Sequence, residues 1–168
     1  MRESGILMHI TSLPAPYGIG TMGKDAYAFV DFLVRAGQRY WQILPLTPTG
    51  YGDSPYQSLG ACAGNHYLID LDRLADEGLL KKEEIQNIPW GSTSARVDFG
   101  AMYAHRMNVL RQAFQRFTPD GAYETFVEQN RSWLEDYALF MSLKDLHQGR
   151  SWHEWSPQYQ VLDTRTRK

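Results

Sequence analysis

Residues 50–58, which read GYGDSPYQS, combine aromatic, acidic and hydroxyl side chains with turn-forming residues. The flat rings of Tyr51 and Tyr56 can stack on the C–H face of a pyranose ring, and Asp53 and Ser54 can hydrogen-bond hydroxyl groups. The glycines permit tight backbone turns and the proline stiffens the segment, so the side chains lose little entropy on binding. An ordinary Asx turn with surface tyrosines gives the same pattern, and the composition favours neither interpretation.

Cleavage of a glycosidic bond needs two carboxyl groups, and the acidic residues offer several pairs to consider. Asp70 and Asp72 alternate along a segment that begins like a strand, so both would point to one face, which can also be a solvent face. Glu83 and Glu84 lie in a polar connector, and Glu135 is better explained as part of a helix cap. The chain's own residues therefore present no convincing catalytic pair.

The remaining motifs do not indicate a metal or dinucleotide site. His9 ends an apolar strand and His66 follows the tyrosine loop, and in both places a packed core histidine is the commoner explanation. No HExxH or other close ligand spacing is present, so no metal site is predicted. Residues 18–23, GIGTMG, match GxGxxG, but SLPAPY separates them from the preceding strand, which disfavours the tight turn that a dinucleotide needs. We therefore expect no cofactor.

The composition is that of a globular protein with a sizeable core. Hydrophobic residues make up 43% of the 168 residues, charged residues 21%, and the formal net charge of -2 argues against nucleic acid or an anionic membrane as the main partner. No stretch approaches about 18 apolar residues, so no membrane span is expected. The single cysteine, Cys62, excludes a disulfide within the chain and favours a reducing, cytoplasmic location.

The hydrophobic pattern of the first 46 residues predicts a βαβ unit. Residues 5–10 and 39–46 are short apolar runs typical of buried strands, and residues 23–37 have helical spacing and end at a glycine. A strand–helix–strand order with short links implies a parallel pair with a right-handed crossover. In parallel α/β folds the functional loops follow the carboxyl ends of the strands, which here are residues 11–22 and 45–66. The tyrosine loop lies in the second of these.

The later chain changes character, and residues 81–148 are predicted to be mostly helical. Five apolar residues share one helical face over residues 102–117: Tyr103, Met107, Leu110, Phe114 and Phe117. Ser132 and Glu135 match a capping box and would begin a second helix. Two or three parallel strands cannot close a barrel or bury both faces of a sheet, so we expect the chain to be the beginning of a longer protein.

Three long strings give the chain a family resemblance: residues 5–23, GILMHITSLPAPYGIGTMG; residues 36–58, AGQRYWQILPLTPTGYGDSPYQS; and residues 64–74, GNHYLIDLDRL. They resemble the start of the amylomaltases, the 4-α-glucanotransferases or disproportionating enzymes of the α-amylase clan. The resemblance implies an α/β fold, an incomplete (β/α)₈ TIM barrel whose first βα units are residues 1–80. Residues 81–168 would then form a mostly helical insertion subdomain.

The resemblance also implies a substrate and a mechanism. Amylomaltases transfer segments of α-1,4-glucans, or maltooligosaccharides, to an acceptor glucan or glucose by a retaining double displacement without cofactor or metal. Their catalytic carboxylates follow the helical insertion, so none is assigned here. Tyr56 matches the tyrosine that stacks on the sugar at the cleavage point, Ser54 and Tyr51 match residues beside the glucan path, and Asp53 braces the loop. An α-glucan hydrolase of the same clan and a non-catalytic glucan-binding module remain the alternatives.

Overall fold

A computed structural model describes residues 2–50, 52–93 and 95–161, and it shows a mixed α/β protein with few strands. The elements are, in chain order, β1 Gly5–Leu7, α1 Lys24–Arg35, β2 Tyr40–Gln42, α2 Leu71–Asp76, α3 Lys82–Gln86, α4 Phe99–Arg116 and α5 Gly121–Leu146. Single 3₁₀ turns occupy Ile10–Ser12, His66–Leu68, Trp152–Glu154 and Pro157–Tyr159. The division into a mixed α/β beginning and a mostly helical later part agrees with the sequence pattern.

The predicted βαβ unit is present, with shorter strands than the sequence indicates. β1 and β2 pair in parallel, with Gly5 opposite Tyr40 and Leu7 opposite Gln42. The expectation that both strands are buried was wrong for the described chain, since Ile6 is 39% exposed and Leu7 60% exposed. A sheet of two strands covered by one helix leaves part of its apolar surface open.

The chain divides into two compact units, with the boundary between Thr118 and Pro119. Two apolar clusters form the core of the larger unit. One cluster joins residues from the first loop (residues 11–22), from α2, α3 and α4, and from the segments between β2 and α4. Its members are Tyr17, Ile19, Tyr67, Leu71, Leu80, Ile85, Trp90, Met102, Val109 and Ala113. The other lies beneath the sheet and contains Ile10, Leu13 and Leu68. Residues of α3 and α4 therefore share a core with α2 and with the loop that follows β1. The subdomain boundary expected after residue 80 stays a prediction.

The predicted face of α4 does not coincide with the face that packs. Tyr103 is 54% exposed and Phe114 72% exposed, so this apolar stripe is not the core face. The buried residues of α4 are Met102, Arg106, Val109 and Ala113. An arginine at the centre of this second stripe lowered its apparent hydrophobicity, which is why the pattern favoured the neighbouring one.

The smaller unit consists of α5 and the turns that follow it. The helix begins at Gly121, where the Asp120 side chain accepts a hydrogen bond from the Tyr123 backbone N–H at 2.8 Å. The capping box predicted at Ser132 was therefore wrong, because that residue and Glu135 lie inside the helix. After the helix, Trp155 folds back and is 4% exposed, with its ring centroid 5.5 Å from that of Phe140.

Candidate functional site

Residues 48–50 and 52–59 belong to a hairpin loop that carries the described candidate sugar-binding residues. Backbone hydrogen bonds from Gly50 N to Gln57 O at 3.3 Å and from Leu59 N to Pro48 O at 3.4 Å close its stem. Within the loop, Asp53 N donates to Gly50 O at 3.1 Å and Gln57 N donates to Ser54 O at 3.0 Å. The loop is thus fixed by its own backbone, as the glycines and proline of the sequence suggested.

The tip of the hairpin loop presents one tyrosine ring to solvent. Tyr56 is 75% exposed, and its backbone N–H donates to Ser54 Oγ at 3.4 Å. Tyr51, the other predicted stacking residue, lies outside the residues that the structure describes. Since a free ring beside a hydroxyl group is what sugar stacking uses, the geometry of Tyr56 and Ser54 is compatible with their predicted roles.

Asp53 has an unusual backbone and a partly desolvated carboxyl group. Its φ angle is 55°, in the left-handed region where aspartate is better tolerated than most residues. Burial raises the pKa of the Asp53 carboxyl, and the nearby Thr49 hydroxyl acts in the opposite direction. Asp53 Oδ1 and Thr49 Oγ1 are both buried without a normal hydrogen-bond partner in the described part of the chain. Bracing of the loop by this carboxylate therefore stays a prediction.

Residues 65–70, here called the junction segment, form hydrogen bonds both at the base of the hairpin loop and with the first loop, residues 11–22. Asn65 N donates to Leu46 O at 2.7 Å and closes the base of the hairpin loop, while Met22 N donates to Leu68 O at 2.9 Å. Thr21 Oγ1 donates to Asp70 Oδ2 at 2.5 Å. The two loops expected at the carboxyl ends of the strands thus meet at this segment.

The junction segment is not the strand that the sequence suggested. The Asn65 side chain accepts from Tyr67 N at 2.9 Å and begins a 3₁₀ turn, and Asp70 accepts from Arg73 N at 2.9 Å and begins α2. Local Asx capping outweighs the strand propensity of the apolar residues between them. Asp72 lies in the first turn of α2 and accepts from Tyr17 Oη at 2.7 Å, so the two carboxylates do not alternate along a strand as predicted.

These contacts also account for the acidic pairs of the sequence. Asp70 and Asp72 hold the first loop, and Glu84 forms a two-point ion pair with Arg116 at 2.6 and 2.7 Å. Glu135 pairs with Arg131 at 3.3 Å within α5. Each of these four carboxylates therefore has a structural partner, and the absence of a catalytic pair stays a prediction.

Helix α4 contacts both the hairpin loop and the junction segment, and the sequence predicted neither contact. Tyr103 Oη donates to Gly50 O in the stem of the hairpin loop at 3.4 Å. One turn further along, Arg106 Nη2 donates to Tyr67 O at 3.1 Å and to Ile69 O. The only available signal was a single arginine within an otherwise apolar helical stripe.

Histidine ionisation is suppressed at both predicted core positions. Burial and then the positive charge of Arg106 lower the pKa of His66 to about 4, and burial lowers the pKa of His9. His66 is therefore neutral near pH 7. Within the described ranges, no cluster of three or more metal-ligating side chains is found. In the same part of the chain, none of the helices has the length and apolar character that a membrane crossing requires.

Comparison with known proteins gives the family. The family model described as 4-alpha-glucanotransferase matches residues 8–168. The chain belongs to this family. It is 48% identical to the 4-alpha-glucanotransferase of Streptococcus pneumoniae over 170 residues, and 50% identical to that of Thermus thermophilus over 160 residues. These alignments cover 99% and 92% of this chain but 33% and 31% of the relatives, so the chain spans about a third of their length.

Solved structures of the family agree with the observed fold. An amylomaltase from Streptococcus agalactiae, crystallised in complex with acarbose, has a TM-score of 0.87 and 45% sequence identity. The alignment covers 94% of this chain and 32% of that one. The amylomaltase of Corynebacterium glutamicum shares the fold with a TM-score of 0.66 at 19% identity, over 94% of this chain and 25% of that one.

Proposed function

We propose that this chain is the N-terminal part of a 4-α-glucanotransferase that transfers segments of α-1,4-glucans to an acceptor glucan or glucose. The observation that carries the proposal is the family match over residues 8–168. Relatives of the same family at 48% to 50% identity support it. The first two loops of the βα units contribute to the donor side of the site, and the catalytic carboxylates belong to the remaining length of the enzyme.

The fold of the complete enzyme is proposed to be a (β/α)₈ barrel, of which β1, α1 and β2 are the beginning. Parallel strands in such barrels are covered on both faces. The exposed apolar side chains of Leu7 and Tyr40, 60% and 59% exposed, support further strands and helices packing around this pair. Residues 81–168 would form the helical insertion.

The hairpin loop is proposed to hold the donor glucan. Tyr56 stacks on the sugar at the cleavage point, Ser54 and Tyr51 lie beside the glucan path, and Asp53 braces the loop. The exposed Tyr56 ring on a backbone-fixed turn supports this arrangement. The Streptococcus agalactiae amylomaltase was crystallised in complex with acarbose, which supports ligand binding in this part of the family.

The proposed chemistry is a retaining double displacement. A carboxylate attacks the anomeric carbon while a carboxylic acid protonates the departing glucan oxygen. The group that donated this proton, now a carboxylate, then removes the proton from an acceptor hydroxyl. The acceptor oxygen attacks the anomeric carbon, displaces the enzyme carboxylate bound there and restores the α configuration. The reaction uses no cofactor or metal, and a cytoplasmic location remains the prediction for the enzyme.

Incubation of the complete enzyme with maltotriose tests the proposal. Transfer releases glucose and builds longer maltodextrins while the number of reducing ends stays constant, because each transfer consumes one chain end for each that it creates. Growth in reducing ends would instead identify the hydrolase alternative. The isolated 168-residue chain should show no disproportionation, and turnover by that chain would contradict the assignment of the catalytic carboxylates to the rest of the enzyme.

A further inference from the structure

Arg106 is a charged residue in the centre of the core, and removing its charge from water is energetically unfavourable. It is 0% exposed on the inner face of α4. Its Nε and Nη1 atoms have no hydrogen-bond partner among the described residues, and the guanidinium carbon lies 5.8 Å from the centroid of the Trp90 ring. A well-packed apolar side chain of similar volume is often neutral or stabilising at such a site. The unfavourable burial of this charge suggests that Arg106 has a role other than filling the core.

What Arg106 holds is the backbone of the junction segment. Its Nη2 atom donates to the carbonyl oxygens of Tyr67 and Ile69, 39 and 37 residues away in sequence. These two carbonyls flank Leu68, which is 4% exposed. A charged, planar donor bound to two carbonyls fixes both the position and the orientation of the turn between them.

The junction segment in turn sets the base of the hairpin loop. The bond from Asn65 N to Leu46 O joins the chain before and after the hairpin loop at 2.7 Å, two residues before Tyr67. The bond from Met22 N to Leu68 O attaches the first loop at the same place. A displacement of the Tyr67 and Ile69 carbonyls is therefore transmitted to both loops.

We propose that Arg106 is a positioning residue of the donor site: by holding the Tyr67 and Ile69 carbonyls, it fixes the hairpin loop in its glucan-binding orientation. The proposal rests on the proposed function, because the loop is taken to bind the donor glucan. Arg106 itself is fully buried and acts through the junction segment, so its loss should weaken donor binding more than it slows the chemical steps.

The test compares three variants of the complete enzyme in maltotriose disproportionation. Arg106→Met removes both hydrogen bonds and is expected to raise the KM for maltotriose at least about tenfold, because the loss of even one hydrogen bond to a charged group corresponds to about that factor. The kcat should change less than about threefold. Arg106→Lys retains the charge and can still donate hydrogen bonds, but it lacks the planar guanidinium, so its KM should lie between those of the Met variant and the wild type. Val109→Ala, at a position 2% exposed on the same helix face, is the control for core destabilisation and should leave KM unchanged.

Hydrogen exchange of residues 45–70 provides a second readout that does not depend on activity. Faster exchange there in Arg106→Met than in Val109→Ala supports the proposal, as does a KM increase confined to the Arg106 variants. If Arg106→Met does not fold, the comparison of Arg106→Lys with Val109→Ala decides in the same way. Wild-type KM and wild-type exchange in a folded Arg106 variant would overturn the positioning role. Absence of disproportionation by the wild-type enzyme would refute the proposed function, and the exchange experiment would still decide whether Arg106 fixes the loop.

Discussion

Replacement of Tyr56 by alanine in the complete enzyme tests the function assigned to the hairpin loop. The Tyr56 side chain is 75% exposed. Its truncation therefore removes almost no packing, and the free energy of unfolding should change by no more than about 0.5 kcal/mol. Any large loss of activity would then come from lost contact with substrate.

The expected loss follows from the worth of a stacked ring. Stacking of an aromatic side chain contributes about 0.5 to 1.5 kcal/mol beyond its buried area, which corresponds to roughly a two- to tenfold effect on rate. Burial of the exposed ring against a sugar adds to this, so we expect kcat/KM for maltotriose to fall at least about tenfold in Tyr56→Ala.

Glucose release from maltotriose measures the effect, with thermal melting as the check on folding. Tyr56→Phe is the matched control, since it keeps the ring and removes only the hydroxyl group, and it should retain at least about half of the wild-type activity. Wild-type kinetics in Tyr56→Ala would remove this residue from the site. An equal loss in both variants would show that the hydroxyl group, and not stacking, makes the contact.

Two further predictions concern the junction segment. A Cβ atom on Gly23 would lie 1.9 Å from Asp70 Oδ2, so Gly23→Ala should displace this carboxylate and lower the free energy of unfolding by about 1 to 3 kcal/mol. Gly64→Ala, whose Cβ meets nothing within 4 Å, is the control, and equal melting temperatures of the two variants would contradict the steric argument. The pKa of His66 is about 4 in the folded protein against 6.5 for a free histidine, so the unfolded state binds more protons between these values. Stability should therefore fall by up to roughly 3 kcal/mol as the pH drops through this window, and His66→Gln should reduce the fall in a melting series from pH 7 to pH 4.5.

The local elements and the family were accessible from the sequence. Strongly periodic or apolar runs predicted β1, α1 and β2 in the right order, because the spacing of apolar side chains along a short segment indicates the type of element. The glycines and the proline of residues 50–58 indicated a fixed turn, and the long strings around them indicated the family that the comparisons confirm. The roles of Tyr51, Asp53, Ser54 and Tyr56 stay predictions.

Other features required tertiary information. Residues 66–74 contain enough apolar side chains for a strand, but Asn65 and Asp70 cap helical turns there instead. The start of α5 was misplaced because Ser132 and Glu135 match a capping box although the helix begins at Gly121. At residues 66–74 the burial of Tyr67 and Leu71 in the core accompanies these caps. The start of α5 is set locally, because Asp120 caps the helix before Ser132 is reached.

The sequence alone therefore determined the composition of the loop that is proposed to hold sugar, its place after the second strand and its family, since all three depend on adjacent residues. Only the tertiary structure decided that Arg106 is buried and that it holds carbonyls 37 and 39 residues away. The physical reason is that burial and long-range hydrogen bonds depend on how elements pack. An arginine in an apolar helical stripe is equally compatible with a solvated edge or a buried anchor until that packing is known.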